Sequence, residues 1–310
     1  MKRTIPIILA VSFVFISFFS FSQRLNDEKA QLFATYLQNF DRLNQPEECF
    51  KNLKGIKKSF RKKAGKQVLI ASHRGDHMEA PENSILAFKH AIDNGTNIVE
   101  FDIRNSIDDS LMIIHDGTIN RTTFGTGKVE EMTYAQLRSF PLVNDYTQEL
   151  TDSRMPTLYE ALSALKGELM IDLDIKCDKI GEIYAAVEQL KMFDQSIFFC
   201  DEADMDYVLG KNPKAYVMPR ARSMEELEHL LRKYSPKIVH IDDSNFDIPE
   251  AVKLIRSIEP KCRIWANTLG NRDIMAINGN DAGIWELKEL GIDVIQTDLP
   301  RHLSRLFCEE

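Results

Sequence analysis

Glu100 and Asp102 stand two residues apart, and Asp174 and Lys176 repeat that spacing further along the chain. On an extended strand residues i and i+2 share a face, so each pair presents both charged ends on one side. Two carboxylates on one face repel each other unless a cation or a proton sits between them. Three carboxylates without a thiolate make a hard oxygen site, suited to one divalent cation, Mg²⁺ or Ca²⁺, more than to zinc. His73 and His115 add two imidazoles able to take and give a proton near neutral pH. Arg74 offers a planar fork for two phosphate oxygens, and Lys176 a compact positive charge. This inventory suits metal-assisted cleavage of a phosphodiester, where positive charge must meet the charge that builds on the non-bridging oxygens. Glu82 could pair with Arg74 and hold its orientation, or favour the start of the helix that follows it.

Such residues need a scaffold that brings the ends of distant strands together. Short β-branched runs alternate with helical patterns, which reads as βα units around a parallel sheet. The expected strands are Val68–Ser72, Asn97–Asp102, Leu169–Ile175, Ser196–Cys200, Ala215–Met218, Lys237–Ile241, Arg263–Asn267 and Val294–Thr297. Eight of them fit an α/β fold of the TIM (β/α)8 barrel type, with the site at the C-terminal strand ends. Leu111–His115 is a ninth run, too close behind the Glu100 strand for a crossover helix. It is expected to return antiparallel and bring His115 over the barrel mouth. Helices are expected from Ile85 to Ile92, stopped by Asn94-Gly95, and from Thr157 after Pro156. Residues 117–155 form a long irregular insertion between the second and third barrel strands, with a turn at Gly125-Thr126-Gly127.

The order and wording of these segments resemble the glycerophosphodiester phosphodiesterase family from about Val68 to Pro300. The resemblance is carried by Ser72-His73-Arg74-Gly75, Pro81-Glu82-Asn83-Ser84, Glu100-Phe101-Asp102, His115-Asp116 and Arg121-Thr122-Thr123. Asp174-Ile175-Lys176, Trp265 with Asn267, and Gly291 to Pro300 complete it. It implies a metal-dependent hydrolase with His73 and His115 as acid and base, and with Glu100, Asp102 and Asp174 on the metal. Arg74, Lys176 and Trp265 would contact substrate, Trp265 from the pocket wall. The implied substrate is a small glycerophosphodiester, cleaved to sn-glycerol 3-phosphate and an alcohol. Family members carry Glu where this chain has Asp174, and the shorter carboxylate puts the metal's identity in question. At that position the chain is more similar to sphingomyelinase D enzymes, which form a cyclic phosphate. A silent phosphate-binding barrel is the third reading.

A hydrophobic fraction of 44% supports one sizeable core, and a net charge of −8 gives no footprint for a nucleic-acid partner. Lys2 and Arg3 precede an apolar run from Ile5 to Phe21, and small residues before Gln23 make residues 1–22 an expected signal peptide. The mature protein is then exported, periplasmic or secreted. Residues 23–67 form an extension whose Leu32, Phe33, Tyr36, Leu37, Phe40 and Leu43 recur at helical spacing. It is expected to pack on the barrel and continue as a solvated basic connector, although its lysines could also make weak contact with a membrane surface. The barrel domain spans residues 68–310. Cys177, Cys200 and Cys262 are expected as small hydrophobes, and Cys49 and Cys308 could form a disulfide. His77, His90, His229, His240 and His302 match no motif and read as structural. Oligomeric state is not encoded legibly.

Overall fold

The computed structural model describes residues 27–44, 52–61 and 67–307. Among these, eleven strands appear in chain order: β1 (Leu69–Ser72), β2 (Ile98–Asn105), β3 (Leu111–Ile113), β4 (Pro141–Val143), β5 (Leu150–Arg154), β6 (Met170–Ile175), β7 (Ser196–Cys200), β8 (Tyr216–Pro219), β9 (Ile238–His240), β10 (Arg263–Asn267) and β11 (Val294–Thr297). Eight are parallel neighbours in the order β8, β7, β6, β2, β1, β11, β10, β9. The wall is therefore one ladder short of a closed barrel, and the gap falls between β8 and β9. Helices fill the crossovers. Every residue from Ile98 to Ile103 is buried, as is every residue of β6, because one face meets the barrel interior and the other meets helices. Phe101 faces outward against Phe88 of the helix Ile85–Asp93, with ring centroids 5.5 Å apart.

Local chemistry sets the helix ends. Ser84 accepts from the Ala87 N–H to open Ile85–Asp93, and Gly95 leaves it at a φ of 71°. Thr157 and Glu160 form a reciprocal capping box on Leu158–Leu165. As the short connection requires, β3 returns antiparallel along β2, pairing Ile113 with Ile103.

Two expectations change. The basic stretch before the barrel is not merely a connector: Leu53–Phe60 is a helix that turns Ile56 and Phe60 into the core and leaves Lys54 and Lys58 outside. Arg263 of β10 donates to the carbonyls of Ser59 at 2.7 Å and Phe60 at 2.8 Å, groups that a helix end leaves open. Ahead of it, a helix over 27–38 and the turn Phe40–Leu43 bury Tyr36 and Leu43 against the barrel, while Leu37 stays exposed. The insertion is also more ordered than its composition suggests. It holds the β4–β5 hairpin, a helix at Tyr134–Ser139 and its own apolar cluster around Ile119, Val129, Leu137 and Leu142. Asn144 fastens it to the barrel by donating to the carbonyls of Met78 and Ala80.

Cys200 and Cys262 are buried and Cys177 half-buried, whereas Cys49, Cys308 and residues 1–22 lie outside the described residues. Among the described residues no helix is long and apolar enough to cross a membrane.

Candidate active site

The register of β2 against β6 sets Glu100 beside Asp172 and Asp102 beside Asp174. All four carboxylates point into the barrel near its C-terminal mouth, and all four are buried. Oxygens of Glu100, Asp102 and Asp174 lie within 4.8 Å of one another, a spacing that fits one metal ion. Asp174 reaches the trio despite its short side chain. Burial, then the charges of Asp102 and Asp174, push the Glu100 carboxyl well above the ordinary range. Glu100 is thus short of positive charge, the condition a bound cation relieves. At Asp174, by contrast, burial is outweighed by Lys176 and Arg220, which hold its carboxyl below the ordinary range. Oxygen donors alone suit a hard ion, so the trio fits the metal that the sequence implies. Glu100 is held by the Arg74 N–H at 2.9 Å and the Gln296 amide at 3.2 Å. Asn83 donates to Asp102 at 2.8 Å. Asp172, which lies one rung deeper, has one oxygen without a partner and a carboxyl pushed well up by burial, then by Asp174.

Each of the two histidines is tied to a carboxylate. His73 Nδ1 lies 2.7 Å from Asp298 Oδ1, and His115 Nδ1 lies 2.8 Å from Asp116 Oδ1. A proton on Nδ1 shared with a carboxylate fixes the tautomer and leaves Nε2 for chemistry. Burial lowers the His73 pKa below the usual imidazole value, although Asp298 pulls the other way. Asp298 itself is brought down to about 2: burial opposes this, and His73 and His77 drive it. His115 sits two residues beyond β3, its carbonyl gripped by Arg104 Nε at 2.8 Å. Both imidazoles line one open cavity of about 370 Å³ with Arg74, Glu100, Asp102 and Asp174.

The cations are already engaged. Lys176 Nζ bonds Asp174 Oδ2 at 2.7 Å and approaches Asp102 Oδ1 at 3.2 Å. Arg74 Nη1 bonds Glu82 at 2.9 Å, so Glu82 orients Arg74 rather than only favouring a helix start. Arg121 closes the network, with two contacts to Glu82 and two to Asp116, and so links the barrel turn to the segment carrying His115. Arg121 stood in the sequence motif without a role. Arg220 was missed: it follows β8, bonds Asp174 Oδ1 at 2.6 Å and lies over the Phe199 ring at 4.2 Å. Its signal was position, immediately after a barrel strand. His240 also lines the cavity.

Trp265 is corrected. It is fully buried and absent from the cavity wall, and its indole N–H donates to Gln296 Oε1 at 3.1 Å. Gln296 in turn donates to Glu100, so Trp265 supports the trio from below. Asn267, two residues nearer the mouth on the same face, takes the wall position.

An acidic trio at the strand C-termini, flanked by two carboxylate-tethered imidazoles, places the protein among (β/α)8 barrels with a metal-type centre at the mouth. Residues 73–234 match the model of the glycerophosphoryl diester phosphodiesterase family, and the chain belongs to that family. A glycerophosphodiester phosphodiesterase of Caldanaerobacter subterraneus is 32% identical over 124 residues, 40% of this chain and 50% of that one. Human glycerophosphodiester phosphodiesterase 1 is 36% identical over 128 residues, 40% of this chain and 38% of that one. The chain thus spans half or less of the length of these curated relatives. Among solved structures, a glycerophosphoryl diester phosphodiesterase from Parabacteroides distasonis has a TM-score of 0.69 at 21% identity, covering 84% of this chain and 92% of that one. An Oleispira antarctica phosphodiesterase in complex with its product sn-glycerol 3-phosphate has a TM-score of 0.63 at 21% identity, covering 79% and 98%. These two likenesses establish the shared barrel.

Proposed function

We propose that the chain hydrolyses small glycerophosphodiesters to sn-glycerol 3-phosphate and an alcohol, with one Mg²⁺ or Ca²⁺ held by Glu100, Asp102 and Asp174. The observation that carries this reading is the pairing of two carboxylate-tethered imidazoles with the acidic trio around one cavity. When bound, the cation supplies fixed positive charge for the phosphoryl oxygens. The chain's own residues do the rest. Arg74, oriented by Glu82, meets the non-bridging oxygens, and Lys176, held against Asp174 and Asp102, adds positive charge behind the cavity wall. His73, kept neutral by burial, takes the proton from the attacking water. His115, its ring steadied by Asp116, gives a proton to the departing alkoxide. The product bound by the Oleispira relative supports glycerol as the retained half.

Export belongs to the same proposal: N-terminal sequencing of the processed protein should begin at Gln23. The function is tested with His73→Ala and His115→Ala. Each should lose turnover by about 10²–10⁴-fold while binding of sn-glycerol 3-phosphate is retained. A protein with no turnover to lose, yet unchanged binding, is the silent barrel.

A further inference from the structure

Beside the acidic trio lies a second cluster with different donor atoms. His73, His77 and Asp298 bring two ring nitrogens and a carboxylate oxygen within 4.8 Å of one another. Asp298 Oδ1 is the shared point, 2.7 Å from His73 Nδ1 and 3.6 Å from His77 Nε2. The tautomer of His77 follows from its other nitrogen. Nδ1 faces two carbonyls, that of His73 at 2.9 Å and that of Gly75 at 3.2 Å, and carbonyls only accept. Nδ1 therefore carries a proton, and Nε2 is the nitrogen left to face the carboxylate oxygen. A cation between the two, a proton or a metal ion, keeps their lone pairs from repelling. A ring N–H fastened to a backbone carbonyl, with the opposite nitrogen free, is how metal-ligating histidines are oriented. Tyr146 stacks on the buried His77 ring at 5.9 Å and 26° and fixes its plane.

The separations suit a small tetrahedral ion. Two bonds of about 2.0 Å at a tetrahedral angle set their ends about 3.3 Å apart. The observed 2.7 and 3.6 Å from Asp298 Oδ1 to the two ring nitrogens bracket that value. Two imidazoles and one carboxylate favour zinc-class ions over Mg²⁺ or Ca²⁺, the opposite preference from the oxygen-only trio. Asp273 accepts from the Asp298 N–H at 2.8 Å and holds the Asp298 backbone directly behind the cluster. His73 opens onto the cavity, which gives an ion a route in.

We propose that His73, His77 and Asp298 form a second metal site of the zinc class, and that the ion, in taking His73 Nδ1, displaces the ring proton to Nε2 and so withdraws His73 from its role as base. The inhibitory half rests on the phosphodiesterase reading; the binding half stands without it. The test is isothermal titration of the full chain with Zn²⁺ in a large excess of Mg²⁺, which keeps the trio filled. One Zn²⁺ per chain is expected, with affinity at least about tenfold weaker in His77→Gln and His77→Phe and unchanged in Glu100→Gln. Undiminished affinity in the His77 variants, or loss through Glu100→Gln alone, overturns the site. The unaltered chain guards against misfolded variants: one equivalent of Zn²⁺ should move the ¹⁵N resonances of His77 Nε2 and His73 Nδ1, and unmoved resonances overturn the site. For the inhibitory half, Zn²⁺ should inhibit wild-type turnover in excess Mg²⁺ and inhibit His77→Gln at least about tenfold more weakly. Equal inhibition of both overturns it. A wild type without turnover before zinc is added contradicts the phosphodiesterase reading instead, and the titration still decides the site.

Discussion

At the scale of single residues, the base and the acid proposed for His73 and His115 can be told apart. His73 keeps a neutral ring because burial lowers its pKa below 6.5. A base with a lowered pKa stays active further into acid, so the acid limb of kcat/KM should have its midpoint below 6.5. A midpoint at or above that value would remove His73 from the base role. The acid is dispensable when the leaving group needs no proton. A p-nitrophenyl phosphodiester should therefore restore most of the turnover lost in His115→Ala, and little of that lost in His73→Ala. The reverse pattern would exchange their roles. Glu100, Asp102, Asp174 and Lys176 were legible because charge at a two-residue spacing declares a shared face, and His73, Arg74 and His115 because of their chemistry and the motifs that carry them. Depth along that face was not. Trp265 and Asn267 have the same parity on β10, and only the register against β11 shows which one reaches the mouth. Arg220 and Asp174 are far apart in sequence, and their contact exists only because β6, β7 and β8 are neighbours.

At the scale of elements, the turn between β1 and its helix is the device that aims the site. Arg74, Gly75 and Asn83 all take positive φ, and the Asn83 N–H donates to the Arg74 carbonyl. A Cβ on Gly75 would stand 2.8 Å from the backbone carbon and Cβ of Ala87, at a φ of 82°. Gly75→Ala should therefore displace the turn carrying His73 and Arg74, lowering both Tm and turnover; an unaffected enzyme would show the close approach to be unimportant. Glu82 holds the turn to the insertion through Arg74 and Arg121. Burial works against its charge, but the two guanidinium groups win and keep its pKa well below the ordinary range. Its stabilisation is present above the unfolded carboxylate pKa and is lost as pH falls through the lowered one. Glu82→Gln should cost on the order of 3 kcal/mol at neutral pH, with the difference shrinking in acid. Thermal melts across pH check both statements. The barrel strands were readable from β-branched runs, and β3 from the shortness of its connection. The hairpin strand β5 was not, because Leu150–Arg154 alternates exposed and half-exposed residues without an apolar face. The helix Leu53–Phe60 was hidden by its lysines, which occupy the face opposite Ile56 and Phe60.

At the scale of the whole molecule, four buried carboxylates in one barrel mouth would link folding to the binding of the proposed cation. An ion that binds only the folded chain stabilises it by about 2.7 kcal/mol at one hundred times its Kd. Mg²⁺ or Ca²⁺ should raise Tm by several degrees, and Asp102→Asn should abolish the rise. A rise that survives that substitution would place the ion elsewhere. The parallel order, the barrel and the mouth all follow from alternating patterns that a sequence displays. The gap between β8 and β9 and the docking of the N-terminal helices do not, since they depend on which surfaces meet after the barrel has formed. The most direct test of the central claim is phosphorus NMR of the protein with glycerophosphoinositol, glycerophosphocholine and glycerophosphoethanolamine, with Mg²⁺ or Ca²⁺ and then with chelator. Metal-dependent appearance of sn-glycerol 3-phosphate is the predicted result. A cyclic phosphate signal, or no turnover of any of the three, would contradict it.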